Sequence, residues 1–374
     1  MMIRVSLKAT LFAVLCTAAL NVSVTTSRAA DYTLHTVAEG LAFPWSLAFL
    51  PDGDILVTER EGRLRVIRDG DLLPEPVTGM PEVLAAGQGG LMDIRLHPDF
   101  AQNQMVYLSY AHGDTSSNQL RVARAQYEEG ALSNLEVVFG SEPMKETPVH
   151  YGARLAFLSD GTLLITSGDD FIHRERAQVL DNHFGKTLRI NADGTIPEDN
   201  PFLGTDGARP EIWSYGHRNQ QGLLVDPVSG RVYLHEHGPM GGDELNIIDP
   251  GKNYGWPAAT YGLDYSGARI SPFQERPGMV MPVEYWVPSI APGGMTLYDG
   301  DAFPAWQGDI FIAALANMTV RRLDMENGEI RDQETLFAEV EERFREVRTG
   351  PDGYLYLLTD SADGRVIQVR PGNS

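Results

Sequence analysis

The sequence predicts an all-β chain folded as a six-bladed β-propeller with long inter-blade loops on one face. Three observations carry this prediction. The 38 glycines and 23 prolines are spread along the whole chain, which is typical of many short strands joined by turns. One strand–turn–strand unit recurs six times, and such repetition is typical of a propeller. The hydrophobic fraction of 43% and the charged fraction of 22% describe a globular chain.

Each copy of the repeat consists of an apolar strand, a turn of the Pro-Asp-Gly type and a second apolar strand. The copies occupy residues 46–58, 91–109, 154–166, 222–234, 295–313 and 346–358. The flanking strands alternate in polarity or are wholly apolar, as expected of buried hairpins. The alternative of an open β-sandwich is disfavoured because the same turn appears in all six copies.

Longer segments separate some of the copies. We interpret residues 171–212 and 240–292 as insertions that emerge on one face of the propeller and build the functional site. Residues 31–37 have the pattern of an additional strand. We expect this strand to pair with residues 366–369, to close the ring and to remove its sheet edges.

Residues 1–30 have the composition of a signal peptide. They contain Arg4, Lys8 and Arg28 but no acid, and the apolar run over residues 10–20 is too short to span a bilayer. We expect cleavage near Ala30, which leaves residues 31–374 as one propeller domain, periplasmic or secreted and without membrane insertion. The alternative is an N-terminal membrane anchor. Cleavage also removes Cys16, the single cysteine.

The chain is strongly acidic, with 51 acidic and 30 basic residues and a formal net charge of −21. Such a surface repels phosphate backbones, so nucleic-acid binding is not expected. The sequence lacks the nucleotide-binding patterns Gly-x-Gly-x-x-Gly and Gly-x-x-x-x-Gly-Lys-Ser/Thr, and also the Gly-x-Ser-x-Gly of many hydrolases. An acidic exported protein suits calcium, which takes oxygen ligands.

Polar residues precede four copies of the repeat at the same register, namely Gln88, His150, Arg218 and Arg343. In a propeller this register brings them to one mouth of the central channel. An imidazole there can act as a general base near neutral pH, although a structural role is the more common one for a single histidine. Asn219 and Gln221 follow Arg218 and add amides at the same place, for which a polar turn is the alternative.

Arg343 and Arg345 flank Phe344 in a segment predicted to be extended. Residues i and i+2 of a strand share a face, so both guanidinium groups point the same way. Two such groups need anionic partners because unpaired buried charge is costly, and a ligand with several carboxylates fits. The alternative is salt bridging within the protein, to Glu341, Glu342 or Glu346.

The loop over residues 237–246 has the features of a calcium site. Gly238 and Pro239 allow the main chain to aim bare carbonyl oxygens at a hard cation, because glycine is flexible and proline lacks an N–H group. Asp243 and Glu244 would add carboxylate ligands. The alternative is a capped turn, which is more common for a glycine-rich acidic loop.

Four long stretches, residues 215–222, 235–246, 251–257 and 343–353, together resemble the soluble pyrroloquinoline-quinone (PQQ)-dependent sugar dehydrogenases, the glucose/sorbosone dehydrogenase family. The resemblance covers nearly all of residues 36–371 and is nearest to the bacterial periplasmic aldose sugar dehydrogenases. It implies a six-bladed propeller that binds PQQ and Ca²⁺ and oxidises the C1 hydroxyl of an aldose to a lactone by hydride transfer. It also implies an external electron acceptor, such as a small cytochrome or a quinone, and leaves the oligomeric state open.

The resemblance implies roles for individual residues. His150 matches the catalytic base, and Arg218 would stabilise charge on the quinone oxygen. The positions that match PQQ contacts are Gln88, Arg218, Asn219, Gln221, Arg343 and Arg345. The carbonyl groups of Gly238 and Pro239 would hold the calcium ion that binds PQQ. A second, structural calcium site would use Glu244, the Tyr254 carbonyl and Asp264.

One position departs from the family pattern. Ala316 stands where relatives have a lysine that contacts PQQ, and Asn317 would partly replace it. Two other functions stay open. A calcium-dependent propeller lactonase or other hydrolase would set carboxylates around one central ion, which the His, Arg and Gln of this chain do not favour. A cofactor-free sugar-binding propeller is favoured by Ala316 and opposed by His150 and the arginine pair.

Overall fold

Strands account for nearly all of the regular structure in residues 31–372, the part of the chain that the computed structural model describes; the predicted signal peptide lies outside it. The first eight strands are β1 (Tyr32–Leu41), β2 (Pro44–Phe49), β3 (Ile55–Glu59), β4 (Arg63–Arg68), β5 (Asp71–Leu72), β6 (Leu91–Leu96), β7 (Met105–Gly113) and β8 (Asn118–Glu128). The next eight are β9 (Ala131–Gly140), β10 (Leu155–Phe157), β11 (Leu163–Ser167), β12 (Lys186–Ile190), β13 (Ile212–Tyr215), β14 (Gln220–Val225), β15 (Val232–Glu236) and β16 (Asp243–Ile248). The last eight are β17 (Glu284–Trp286), β18 (Pro292–Leu297), β19 (Ile310–Ala314), β20 (Thr319–Glu326), β21 (Glu329–Leu336), β22 (Phe344–Thr349), β23 (Leu355–Thr359) and β24 (Gly364–Pro371).

Helical structure is confined to short turns. One α-helical turn, α1 (Phe100–Asn103), lies between β6 and β7. The 3₁₀ turns cover Arg174–Gln178, Pro304–Trp306 and Ala338–Val340. None of the helices in the described part of the chain has the length and apolar character needed to cross a membrane.

The strands form six four-stranded antiparallel sheets, the blades of a propeller. Blades 1 to 5 are β2–β5, β6–β9, β10–β13, β14–β17 and β18–β21, in that order. Blade 6 contains β22, β23 and β24 with β1 as its outermost strand. The first strands of neighbouring blades contact one another around the whole ring and line the central channel. The predicted all-β, six-bladed propeller is confirmed, and each predicted repeat forms the two inner strands of one blade.

The two ends of the described chain meet in blade 6. Strand β1 runs antiparallel to β24, with Leu34 opposite Val369 and Thr36 opposite Ile367. The predicted pairing of residues 31–37 with residues 366–369 is therefore confirmed. A strand from the start of the chain completes the last blade and closes the ring.

The hydrophobic core is divided into six clusters, and each cluster fills the space between two neighbouring blades. Between blades 1 and 2, for example, Leu56 and Leu64 pack in one cluster with Ile94 and Val106, and all four are fully buried. Each such side chain contributes roughly 1.5–3 kcal/mol relative to an exposed one. Apolar packing between the faces of neighbouring blades thus holds the ring together. The central channel is not filled by a hydrophobic core of the described residues and is therefore free for polar groups.

The interpretation of residues 171–212 and 240–292 as insertions between blades was wrong, because both segments contain strands of the blades themselves. Residues 171–212 include β12, and residues 240–292 include β16 and β17, so the long loops connect strands of the same blade. Both β12 and β16 mix charged and apolar residues, and a search for apolar runs therefore overlooked them. The loop between β16 and β17 returns to the channel mouth, where Leu263 pairs with Met240.

Candidate active site

A cavity of about 230 Å³ opens at the end of the central channel where the first strand of each blade begins. All six blades contribute to its wall, each with a residue at or shortly before its first strand. Five of the residues singled out in the sequence line it: Gln88, Asn219, Gln221, Arg343 and Arg345. The structure thus brings these side chains together at one mouth of the channel.

A β-bulge at the start of the first strand directs several side chains into this cavity. In blade 4 the register of β14 against β15 shifts between Gln220 and Gly222, so that Gln221 is an extra residue on its strand. The same irregularity makes Arg345 the extra residue in blade 6 and Trp45 the extra residue in blade 1. A bulge re-aims the side chain it carries, and all three of these residues line the cavity.

His150 lies beside the cavity, and a buried carboxylate holds its ring. The Nδ1 atom of His150 is 2.7 Å from Oδ1 of Asp169. The Oδ2 atom of Asp169 accepts a 2.6 Å hydrogen bond from the indole N–H of Trp256. Both His150 and Asp169 are buried. The carboxylate favours a proton on Nδ1 and leaves Nε2 as an acceptor, which is the tautomer that a general base needs.

Burial is the largest influence on the His150 imidazole and lowers its pKa below the ordinary value. The hydrogen bond and charge of Asp169 act in the opposite direction, whereas the positive charges of Arg218 and Lys145 lower the pKa further. Burial alone would raise the pKa of Asp169, but its hydrogen bond with His150, the positive charge of Arg218 and the N–H of Phe171 hold it below the ordinary value. The pair is therefore a neutral imidazole and an ionised carboxylate near pH 7.

A second, more open cavity of about 410 Å³ also lies near His150. Gln88, which lines the first cavity, accepts through Oε1 a 2.8 Å hydrogen bond from the main-chain N–H of His150. Asp169 and Phe171 line the second cavity. The Phe171 ring lies edge-on to the imidazole, with the ring centroids 5.1 Å apart. His150 therefore contacts lining residues of both cavities, Gln88 of the first and Asp169 and Phe171 of the second.

The guanidinium group of Arg218 lies against one of the two carbonyl groups expected to hold calcium, that of Gly238. Its Nη1 atom donates hydrogen bonds to the carbonyl oxygens of His237 at 2.9 Å and Gly238 at 2.8 Å. Pro239 and Arg218 line the second cavity together. Main-chain oxygens are ligands that calcium accepts, so Gly238 and Pro239 fit by donor type the ion that the resemblance implies. The Gly238 oxygen would use the lone pair that Arg218 leaves free.

The carboxylate of Asp243, which we expected to add a metal ligand, is committed to the protein instead. Its Oδ1 atom accepts a 2.9 Å hydrogen bond from the N–H of Gly238. Its Oδ2 atom accepts hydrogen bonds from the Ser289 hydroxyl and from the N–H groups of Ile290 and Ala291, at 2.7 to 2.9 Å. Four donors use the lone pairs that an ion would need, and Asp243 therefore shapes the loop.

Arg343 and Arg345 share one carboxylate. The Oδ2 atom of Asp360 lies 3.3 Å from Nε of Arg343 and 3.1 Å from Nη2 of Arg345. Both guanidinium groups thus point the same way, while Phe344 is buried in the core between blades 5 and 6. The protein partner is Asp360 and not one of the three acids considered from the sequence, Glu341, Glu342 and Glu346.

The cavity wall carries more positive charge than negative. Arg60, Arg343 and Arg345 line it together with a single acid, Asp360. The Nε atom of Arg345 is buried and has no hydrogen-bond partner in the described part of the chain. Burial lowers the pKa of Arg345, and Asp360 opposes this shift only in part. A ligand with several carboxylates, such as PQQ, fits this excess of guanidinium groups.

Glu244 and Glu236 form a buried pair of acids, and the Tyr254 ring is connected to this pair through His217. Glu244 stands opposite Glu236 on the neighbouring strand. Burial, reinforced by the charge of Glu236, raises the pKa of Glu244 well above its ordinary value. Glu236 lies 2.9 Å from Nδ1 of His217, whose ring stacks on that of Tyr254 with the centroids 4.9 Å apart. Two neighbouring buried carboxylates suit a bound cation.

Two residues named from the resemblance lie apart from these clusters. Asp264 is partly exposed at the rim of the second cavity, with Oδ2 located 3.3 Å from Nη1 of Arg174. Asn317 and Ala316 are exposed in the turn between β19 and β20. Their neighbour Leu315 lines the first cavity. The turn therefore borders the first cavity, but Leu315 lines it and Ala316 and Asn317 do not.

Asp169 and Asp360 were not predicted from the sequence. Each follows the second strand of a repeat, β11 or β23, at the point where the chain returns to the channel mouth. Arg60 follows β3 and His237 follows β15 in the same way, and both line the first cavity. A polar residue just after the second strand is thus a further signal of this site that the sequence contains.

Comparison with known proteins gives a consistent result. The family model for glucose / sorbosone dehydrogenase matches residues 41–368. Aldose sugar dehydrogenase YliI of Escherichia coli is 42% identical over 350 residues, which cover 92% of this chain and 94% of YliI.

Solved structures agree with the sequence match. The crystal structure of the soluble aldose sugar dehydrogenase of Escherichia coli in its apo-form aligns with a TM-score of 0.88 and 41% identity, covering 91% of this chain and 100% of that chain. The PQQ-bound form of the aldose sugar dehydrogenase of Streptomyces coelicolor aligns with a TM-score of 0.74 and 31% identity, covering 91% of this chain and 98% of that chain.

Proposed function

Because the chain belongs to the glucose/sorbosone dehydrogenase family, we propose that it is a PQQ-dependent aldose sugar dehydrogenase that uses calcium. The substrate would be an aldose, oxidised at its C1 hydroxyl to a lactone. The observation that carries the proposal is the buried His150–Asp169 pair beside a cavity with three arginines and one aspartate. The pair supplies a base, and the cavity supplies a site for a polyanionic cofactor. The similarity to the aldose sugar dehydrogenase of Escherichia coli supports the activity, and the similarity to the PQQ-bound enzyme of Streptomyces coelicolor supports the cofactor.

The side chains divide the reaction between them. Nε2 of His150 would accept the proton of the C1 hydroxyl, while Asp169 holds the Nδ1–H group and stabilises the imidazolium that forms. The carbon–oxygen bond of C1 becomes the lactone carbonyl as the C1 hydrogen leaves with its electron pair. The chemistry supplied by a bound PQQ–calcium pair is acceptance of that hydride. Arg218, next to the Gly238 carbonyl, would stabilise negative charge at this end of the site.

The cofactor would be held by groups already aimed at the cavity. Arg343 and Arg345 would bind carboxylates of PQQ, and the amides of Asn219 and Gln221 would offer hydrogen bonds. The carbonyl groups at residues 238 and 239 would hold calcium. Glu244 and the Tyr254 carbonyl would hold the second, structural ion.

Reconstitution tests the proposal. Purified protein would be freed of metal with EDTA and assayed with a dye acceptor against a panel of aldoses, after addition of PQQ, calcium or both. Sugar oxidation that requires both additions is the expected result. Binding of PQQ without oxidation of any sugar would contradict the dehydrogenase and favour a binding propeller. Absence of PQQ binding together with lactone hydrolysis would favour the calcium-dependent hydrolase.

We further propose that the protein works outside the cytoplasm and passes its electrons to an external acceptor, such as a small cytochrome or a quinone. The basic, acid-free segment that ends near Ala30 supports export. Mass spectrometry of protein from the periplasm or the medium would show a mature N-terminus near Asp31. A mature chain that begins upstream of Cys16 would contradict this prediction.

A further inference from the structure

A buried lysine stands behind the proposed base, and the reaction described above does not use it. Lys145 is 3% exposed. Its Nζ atom donates hydrogen bonds to the carbonyl oxygens of Val149 and, at 3.1 Å, of His150. The same ammonium group lies 4.3 Å from the centroid of the Tyr151 ring. Lys145 is therefore bound to the main chain of the residue whose side chain would take the proton.

The main chain of His150 adopts a conformation that needs such support. Its φ angle is +53°, in the left-handed region that residues with a β-carbon rarely occupy. Lys145 binds the His150 carbonyl, and Gln88 binds the His150 N–H at 2.8 Å. Gly168 packs against the same carbonyl, and a β-carbon at that glycine would come within 2.2 Å of the oxygen. The carbonyl group of His150 is thus contacted by Lys145 and Gly168, and its N–H group is bonded to Gln88.

The hydrogen bonds alone do not explain why this position carries a charge. The nearby acids have other hydrogen-bond partners. Asp169 is bonded to His150 and Trp256. Asp170 is bonded to Thr147 and His173. The described residues form no salt bridge with Lys145, so carbonyl oxygens and an aromatic ring are its partners. Burial lowers the pKa of Lys145 to about 8, which shows the cost of the charge. A neutral donor would bind the same carbonyl groups at a lower cost.

The charge of Lys145 acts on the imidazole. Asp169 at 2.7 Å favours a protonated His150, which could not serve as a base. Burial opposes protonation, and the positive charges of Arg218 and Lys145 oppose it as well. Among these groups, Lys145 alone contacts the main chain of His150, so it can affect both the orientation and the protonation of the ring.

We infer that Lys145 is a positioning residue for His150: it holds the left-handed main chain that presents Nε2 to the substrate, and its charge offsets that of Asp169. The catalytic part of this inference rests on the proposed function, because it treats His150 as the base. The contact between the two residues does not depend on the proposed function. It predicts a change in the titration of His150 even in protein that contains neither cofactor nor sugar.

The test compares three substitutions. Lys145→Met removes both the charge and the donors, and Lys145→Gln removes the charge while retaining donors. Lys186→Met is the matched control, because Lys186 is also a buried lysine whose Nζ donates to main-chain carbonyls, those of Arg176, Ala177 and Phe184. Its bonds lie in another loop and do not involve His150.

Two readouts follow each variant. NMR titration of the His150 imidazole in apo-protein should show a higher pKa in both Lys145 variants and a clearly smaller change in Lys186→Met, because Lys186 acts on Asp169 without contacting His150. In reconstituted enzyme, kcat should fall about tenfold or more in Lys145→Met, with KM changed less than about threefold. The acid limb of the pH–rate profile should move to higher pH.

An unchanged His150 titration and an unchanged pH–rate profile in both Lys145 variants would overturn the inference, because they would show that the lysine only stabilises the fold. If Lys145→Met does not fold, Lys145→Gln decides by the same criteria. If wild-type protein does not oxidise sugars, the proposed function fails, and the NMR titration still shows whether Lys145 acts on His150.

Discussion

His150 and Asp169 form a 2.7 Å contact between Nδ1 and Oδ1, and both residues are fully or almost fully buried. They come from opposite ends of one hairpin: His150 precedes β10, and Asp169 follows β11. The hairpin therefore returns the chain to the place where it began, and a base and its carboxylate meet there. The pair flanks a single repeat of the propeller, whereas the cavity beside it requires all six blades.

His150→Ala should abolish most sugar oxidation while PQQ binding persists. Loss of a general base costs roughly a hundredfold to ten-thousandfold in rate. Asp169→Asn should lower kcat at least about tenfold, because the amide can no longer hold the Nδ1–H tautomer or stabilise the imidazolium. Steady-state kinetics with a dye acceptor, together with a PQQ titration, measure both effects. Asp170→Asn is the control, since Asp170 is equally buried but bonds to His173. Near wild-type turnover in His150→Ala would remove this histidine from the mechanism.

Arg345→Ala should weaken PQQ binding about thirtyfold or more, because it removes a nearly buried charge from a polyanion. Arg343→Ala should have a smaller effect, since 46% of the Arg343 side chain is exposed, against 12% for Arg345. Calorimetric titration of apo-protein with PQQ, with and without calcium, measures both affinities. Arg365→Ala, which breaks a surface pair with Glu342, should leave PQQ affinity unchanged. If both cavity variants bound PQQ normally, the two arginines would serve only to pair with Asp360.

Calcium should stabilise the wild-type protein against heat and should not stabilise Glu244→Gln. An ion that binds only the folded state at a hundred times its Kd adds about 2.7 kcal/mol. Without calcium, Glu244→Gln should be at least as stable as wild type, because it removes a carboxyl group whose charged form is disfavoured by burial and by Glu236. Differential scanning fluorimetry in EDTA and in calcium compares the two proteins. Glu128→Gln, at an exposed position of β8, is the control. Equal calcium stabilisation of Glu244→Gln and wild type would place the ion elsewhere.

The stability difference between wild type and Lys186→Met should depend on pH. Burial lowers the pKa of Lys186 to about 7, against an ordinary value near 10.5. Between pH 7 and pH 10.5, Lys186 is mostly protonated in the unfolded chain and mostly neutral in the folded protein. Folding therefore releases a proton, and the contribution of Lys186 to the free energy of unfolding rises with pH. The slope is at most about 1.4 kcal/mol per pH unit. Urea unfolding at pH 6.5, 7.5 and 8.5 measures it, and a pH-independent difference would contradict the prediction.

The parts of the fold that could be predicted from sequence are those in which local chemistry repeats. The turn after Leu50 and the turn after Leu158 have the same form, and their flanking strands are apolar because two neighbouring blades cover them. Strands such as β12 and β16 carry charged side chains that point into polar networks, so apolar patterning could not reveal them. Their position became clear only from pairing with β11 and β15.

The site was predictable to the extent that it depends on register. Gln88, Asn219 and Arg343 line one cavity because each lies just before a first strand, which sequence spacing already indicates. The partners Asp169 and Asp360 were missed because their contacts depend on how far each second strand extends. Asp360 contacts two arginines at once because of the length and conformation of the three side chains, and sequence spacing alone does not show these.

Because β1 completes blade 6, the proposed PQQ site depends on strands from both ends of the described chain. The last blade carries Arg343 and Arg345, and its outermost strand comes from the opposite end of the polypeptide. No fragment that ends before β24 or begins after β1 contains this blade intact. If the protein binds PQQ as proposed, it would do so only once β1 and β24 had both been made and paired, so a molecule that lacks either strand would not take up the cofactor.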